Sequence, residues 1–110
     1  MAYDEGMAEL LREALSDVPS LTEKKMFGGL CFMVQGNMLC GVHKGGGMFR
    51  VGAQGFERAL AVEGTRPMDF TGRPMTGFVE IGYEALGDDE ARASLLDLAQ
   101  SFVATLPPKR

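Results

Sequence analysis

No tryptophan occurs in these 110 residues, histidine occurs once (His43) and cysteine twice (Cys31 and Cys40). Two cysteines and one histidine do not complete the four-ligand set of a structural zinc site. No apolar run approaches the ~20 residues of a membrane-crossing helix, and the acidic opening MAYDEGM is unlike a signal peptide. The expectation is a cytoplasmic protein whose cysteines stay reduced and packed as small hydrophobes. Also missing are Gly-x-Ser-x-Gly, HExxH, a phosphate-binding Walker loop and a dinucleotide fingerprint. No catalytic, cofactor-binding or metal-binding residue is therefore assigned, and no cofactor is expected.

A basic excess is lacking as well: the net charge is −4. Its distribution is uneven. Residues 1–23 hold six acids and one base, residues 24–75 seven bases and three acids, and residues 76–110 six acids and three bases. A basic middle between acidic ends can face an anion. Acidic solvent faces on terminal helices account for the same pattern without any ligand.

What is present is an ordinary globular pattern in a chain long enough for one core, read as one domain over residues 1–110. Tyr3, Met7, Leu10, Leu11, Ala14, Leu15 and Val18 keep helical spacing up to Pro19, so the chain opens with an amphipathic helix. From Lys25, KKMFGGLCFMVQGNMLCGVHK loses that period. Gly36-Asn37 reads as a two-residue type II′ turn of a β-hairpin. That turn pairs Gln35 with Met38, Met33 with Cys40 and Cys31 with Val42, placing both cysteines on one face. Leu30, Phe32, Val34, Leu39 and His43 fall on the other face. Both faces are apolar, so both call for cover. Helices can cover one; a partner subunit, in a homodimer, or the chain itself must cover the other.

After Gly45-Gly46-Gly47, MFRVG is a third strand. Ala53 to Val62 is a short helix ended by Gly64. Met68-Asp69-Phe70 reads as a short strand and Phe78 to Gly82 as the last one. A final helix begins at Gly87-Asp88 with acids at its positive end and stops before Pro107-Pro108. The fold class is α+β: helix, three strands, helix, two strands, helix, with an antiparallel sheet packed with helices. RPMDFTGRPMTG, Arg66 to Gly77, repeats Arg-Pro-Met, and its prolines and glycines read as two rigid corners flanking a strand.

KKMFGGLCF, the hairpin QGNMLCGV, and RPMDFTGRPMTGFV together resemble the TfoX/Sxy N-terminal domain family. The likeness runs from the MAYDEGM helix to TLPPK. It implies the same α+β order and a role among bacterial regulators of natural competence and DNA-uptake genes. Full-length members carry a second, C-terminal domain, so the chain is read as a single-domain member.

Three functional classes follow. The first is a non-catalytic regulatory or protein-interaction module, with a homodimer as one form of its assembly. The second is direct nucleic-acid binding through the basic middle, using Lys24, Lys25, Arg50, Arg66 and Arg73. The third is binding of a small anionic ligand by the arginines, or an unrecognised enzyme. His43 has no nucleophile partner at any recognisable spacing. Gly28-Gly29 leads into a strand, so it suits a bulge or close backbone approach better than a phosphate cradle. Of the eight methionines, most belong to the core, with Met68 and Met75 left open as loop residues that could meet a partner.

Overall fold

The computed structural model describes residues 3–26, 28–70 and 73–108, with the backbone alone for residues 69, 70 and 73–76. Helix α1 (Glu5–Ala14) starts where the Asp4 carboxylate accepts the Met7 amide at 3.1 Å, and it buries Ala8 and Leu11. Four strands follow: β1 (Leu21–Met26), β2 (Gly29–Val34), β3 (Asn37–His43) and β4 (Gly46–Arg50). Then come α2 (Gly52–Leu60), β5 (Thr65–Phe70), β6 (Arg73–Gly82), the single turn α3 (Tyr83–Leu86) and α4 (Asp89–Val103). Asp88 caps α4 by accepting the Ala91 amide at 2.9 Å. The strands form one antiparallel sheet in the order β1-β2-β3-β4-β6-β5.

The α+β class is as expected, but the element count differs. Strand β1 precedes the expected first strand, because LTEKKM is an exposed edge with no apolar alternation to announce it. The short α3 is also additional. The Arg-Pro-Met segment is not a pair of corners around a strand: it is the hairpin β5–β6. Pro67 lies on the edge strand β5. Pro74 lies on the part of β6 that pairs only with β5, so neither ring removes an inner-ladder hydrogen bond.

The β2–β3 turn also sits one residue earlier than the sequence suggests. Its two turn residues are Gln35 and Gly36, with φ of 52° and 85°, which is the type I′ combination. Gln35 is not a residue that signals a left-handed conformation, so the sequence places the turn one residue late. Asn37 instead opens β3 and buries its side chain, donating from Nδ2 to the Pro107 carbonyl at 2.9 Å. Val34 pairs with Asn37 and Met33 with Met38. The register then shifts, so that Phe32 pairs with Cys40 and Cys31 with Gly41. The expected pairs Gln35–Met38, Met33–Cys40 and Cys31–Val42 do not form.

All four helices contribute to the main core. Leu11 and Leu15 from the α1 end, Ala59 of α2, Leu86 of α3 and Leu95 and Ala99 of α4 join the cluster. Against them lie Phe32, Leu39, Val42, Phe49, Val79 and Ile81 of the sheet. Each fully buried side chain of this size contributes about 1.5–3 kcal/mol. A second cluster, Cys31, Met38, Met48 and Met68, contains no residue from any of the described helices and lies on the opposite face of the sheet.

Candidate functional site

The helix-free face of the sheet gathers the unusual chemistry of the chain. Residues paired across the strands form one row: Lys24, Cys31, Gly41, Met48, Glu80 and Arg66. Gly41 makes room in the middle of it. A Cβ there would sit 2.9 Å from the Met48 methyl carbon and 2.5 Å from the Leu30 carbonyl oxygen. Met48 therefore lies down over bare backbone and is buried with Met38 and Met68. Met26, Met33 and Phe78 pack around this centre and stay half-exposed. The centre of the second face is thus covered by the chain itself, while its rim is apolar and open.

Five of the eight methionines lie in or against this cluster. Met68 is a buried strand residue, not a loop residue. Met75 is also in a strand, β6, by its backbone, and its side chain lies outside the described residues.

At one end of the row, the Glu80 carboxylate meets Arg66 Nε at 2.9 Å and His43 Nε2 at 3.2 Å. The Gly45 amide donates to His43 Nδ1 at 2.9 Å. Since Nδ1 accepts, the proton of the neutral ring lies on Nε2 and points at Glu80. Both ring nitrogens are engaged, which leaves no free lone pair for a general base. Tyr83 adds a backbone tie: its hydroxyl donates to the His43 carbonyl and accepts the Asp4 amide, the latter at 2.9 Å. The histidine is a latch between β3, β6 and the turn after β3. Arg66 is 53% exposed, so its pair with Glu80 contributes at most about 1 kcal/mol.

The structure separates the basic residues picked out in the sequence. Lys24 and Lys25 lie on β1 at one edge of the sheet, paired with Cys31 and Leu30 and so facing opposite sides. Arg66 lies on β5 at the other edge, engaged with Glu80. Arg50 closes β4 with its guanidinium carbon 5.7 Å from the Phe78 ring centre and 5.5 Å from that of Phe102. It stacks between the open face and α4. The backbone of Arg73 faces Phe70 across the β5–β6 turn, and its side chain lies outside the described residues.

The cysteines do not share a face. Cys31 belongs to the methionine cluster and Cys40 to the helix-side core, because the register shift turns β3 over between them. Burial pushes the Cys31 thiol up to about 11. Burial also raises Cys40, with the neighbouring Cys31 adding to it. Both are thiols, not thiolates, at neutral pH, the opposite of a reactive setting. Gly29 sits where β2 passes close to β3: a Cβ there would collide with the Val42 carbonyl, so a close backbone approach accounts for Gly29, while Gly28 takes a left-handed φ of 72°.

Glu80 and Tyr83 were not singled out by sequence reasoning. Glu80 is the sole charge in the apolar run FVEIG, a signal that becomes useful once β5 is known to run beside it. Among the described residues, no group of three His, Cys, Asp or Glu side chains could hold a metal ion. No described helix is long and apolar enough to cross a membrane.

Comparison with curated proteins and with solved structures gave no match. A family model, that of the TfoX N-terminal domain, matches residues 13–103, from the end of α1 to the last residue of α4. That match spans far more than half of the 110 residues and takes in the glycine-rich hairpin, the Arg-Pro-Met strands and the final helix, so the chain belongs to the TfoX N-terminal domain family.

Proposed function

We propose that this domain is a non-catalytic regulatory module that works by protein contact, and that its contact surface is the methionine-lined face of the sheet. The observation that carries the reading is the half-exposed rim of Met26, Met33 and Phe78 around a buried cluster that no described helix covers. Unbranched, polarisable methionine side chains adapt to an opposing surface at low cost. Two-fold self-association is the commonest assembly of soluble domains, so the partner proposed is a second copy of the chain. The regulatory part of the reading is carried over from the family likeness to competence regulators.

Direct nucleic-acid binding draws less support from the geometry. Lys24 and Lys25 stand a full sheet-width from Arg66, and Glu80 neutralises Arg66. A continuous phosphate track needs cations along one path.

Light scattering tests the reading. The expected mass is near twice the 11.9 kDa of the monomer, falling to the monomer mass in a Met26→Glu/Met33→Glu variant with unchanged circular dichroism. A parent protein that stays monomeric at all concentrations, and whose exchange or cross-linking pattern protects neither methionine, refutes it.

A further inference from the structure

We propose that the cleft between the C-terminal ends of α1 and α4 binds a small organic cation, an ammonium group carried on an aliphatic body. The cleft encloses about 430 Å³. Its apolar lining is Val18, Val34, Leu39 and Val103, with Leu39 fully buried at its base. Its walls are the carboxyl ends of two helices, represented by Ala14 and Ala104. The macrodipole places roughly half a negative charge at each helix end, with the Leu11, Glu13, Gln100, Phe102 and Val103 carbonyls already accepting the amides that follow them. Prolines at 107 and 108 remove the amides that could reach the Ala104 carbonyl at i+3 and i+4. The Asp17 carboxylate also lines the cleft and makes no ion pair among the described residues.

Among the described residues, the cleft has no compensating base of the kind that usually sits at such helix ends. The last turn of α4 has none, and no lining residue is a lysine or arginine. Arg12, in the last turn of α1, is drawn off to Glu9 at 2.6 Å and Glu23 at 2.6 and 2.9 Å. Negative potential over an apolar base selects among ligands. An anion is repelled, a neutral apolar molecule ignores Asp17 and the helix ends, and a bare metal ion ignores the base of the cleft. A protonated alkylamine uses both. This site lies on the helix side of the molecule and does not depend on the sheet-face reading.

The test is an amide-resolved NMR titration of the whole chain with n-hexylamine at pH 7, with n-hexanol and hexanoate as matched controls. Hexylammonium should shift the amides of Ala14, Asp17, Gln35 and Ala104 saturably. Hexanol should bind roughly 10-fold more weakly, since it forgoes the charge contribution of Asp17 and two helix ends. Asp17→Asn, at an exposed site that the fold tolerates, should weaken the amine about 3- to 5-fold. Gln100→Phe should block the cleft while preserving the helix. A Lys109→Ala/Arg110→Ala variant should bind as the parent does. Equal binding of hexanol, shifts elsewhere, or an unaffected Asp17→Asn variant would overturn the proposal. So would a gain of amine binding in the Lys109→Ala/Arg110→Ala variant, because the chain's own cations would then be the occupants.

Discussion

Replacing Gly41 by alanine tests whether the open face of the sheet is packed as described. The new Cβ would lie 2.5 Å from the Leu30 carbonyl oxygen, 2.9 Å from the Met48 methyl and 3.1 Å from the Cys31 Cα. The methionine end can swing aside, but the two contacts on β2 are backbone, so β2 and β3 must separate slightly. Overpacking of this kind costs roughly 2–3 kcal/mol, the upper part of the range for an inserted methyl group. Loss of glycine's freedom in the unfolded chain offsets about 0.5–1 kcal/mol of it. The expected net loss is about 1–2.5 kcal/mol, a fall in Tm of roughly 4–11 °C for a domain of this size. Urea denaturation followed by circular dichroism measures it.

A double-mutant cycle with Met48→Ala then divides the cost. That change alone should cost about 2–5 kcal/mol through the cavity it leaves. Combined with Gly41→Ala it should relieve only the methyl contact, giving a coupling near ~1 kcal/mol. If Gly41→Ala matches the parent within ~0.5 kcal/mol, or Met48→Ala rescues it fully, the backbone approach of β2 to β3 is refuted.

Three further outcomes follow from the structure. With burial holding Cys31 near 11, about one molecule in a thousand carries a thiolate there at pH 8, so native protein should resist an aromatic disulfide reagent that labels both cysteines in urea. The unfolded thiols titrate near 9.0 and the folded ones higher, so stability should hold below that pH and decline as pH rises from about 9 to 11; flat stability across that window contradicts the burial. Asp88→Ala, which removes the cap of α4, should cost about 1 kcal/mol in urea denaturation, with Asp88→Asn retaining most of it; equal losses in both would show that the acceptor at the Ala91 amide is not what matters.

The parts of the fold legible in the sequence are those whose side chains repeat with the period of their element. Helix α1 and helix α4 each present one apolar stripe, and Asp88 stands where a cap should. The apolar strands β2 and β3 also announce themselves. Strand β1 does not, because an edge strand that must resist pairing with other chains carries Thr22, Glu23, Lys24 and Lys25 in place of alternating hydrophobes. The β5–β6 hairpin is hidden by its prolines, which argue against a strand until strand order shows that they sit where no inner partner needs their amides. The one-residue error in the β2–β3 turn would by itself leave both cysteines on one face; the bulge between Phe32 and Met33, which pairs Phe32 with Cys40 and has no signal in the sequence, is what separates them. The two-faced apolar character of that hairpin survived the error, because residues on both sides are hydrophobic. The His43–Glu80–Arg66 chain was not legible, since it joins three strands whose adjacency only the fold supplies.

The strand order has a consequence for how the chain assembles. Strand β6 lies between β4 and β5, so β4 keeps an open inner edge until a segment more than twenty residues further along has formed. Tyr83 comes later still, and it ties the Asp4 amide to the end of β3 across 79 residues of sequence. On a ribosome, β1 to β4 emerge as a meander of neighbours able to pair at once. The sheet closes only when β6 pairs with β4, and the Tyr83 tie to the start of the first helix needs residues later still. The first element made is among the last to be secured.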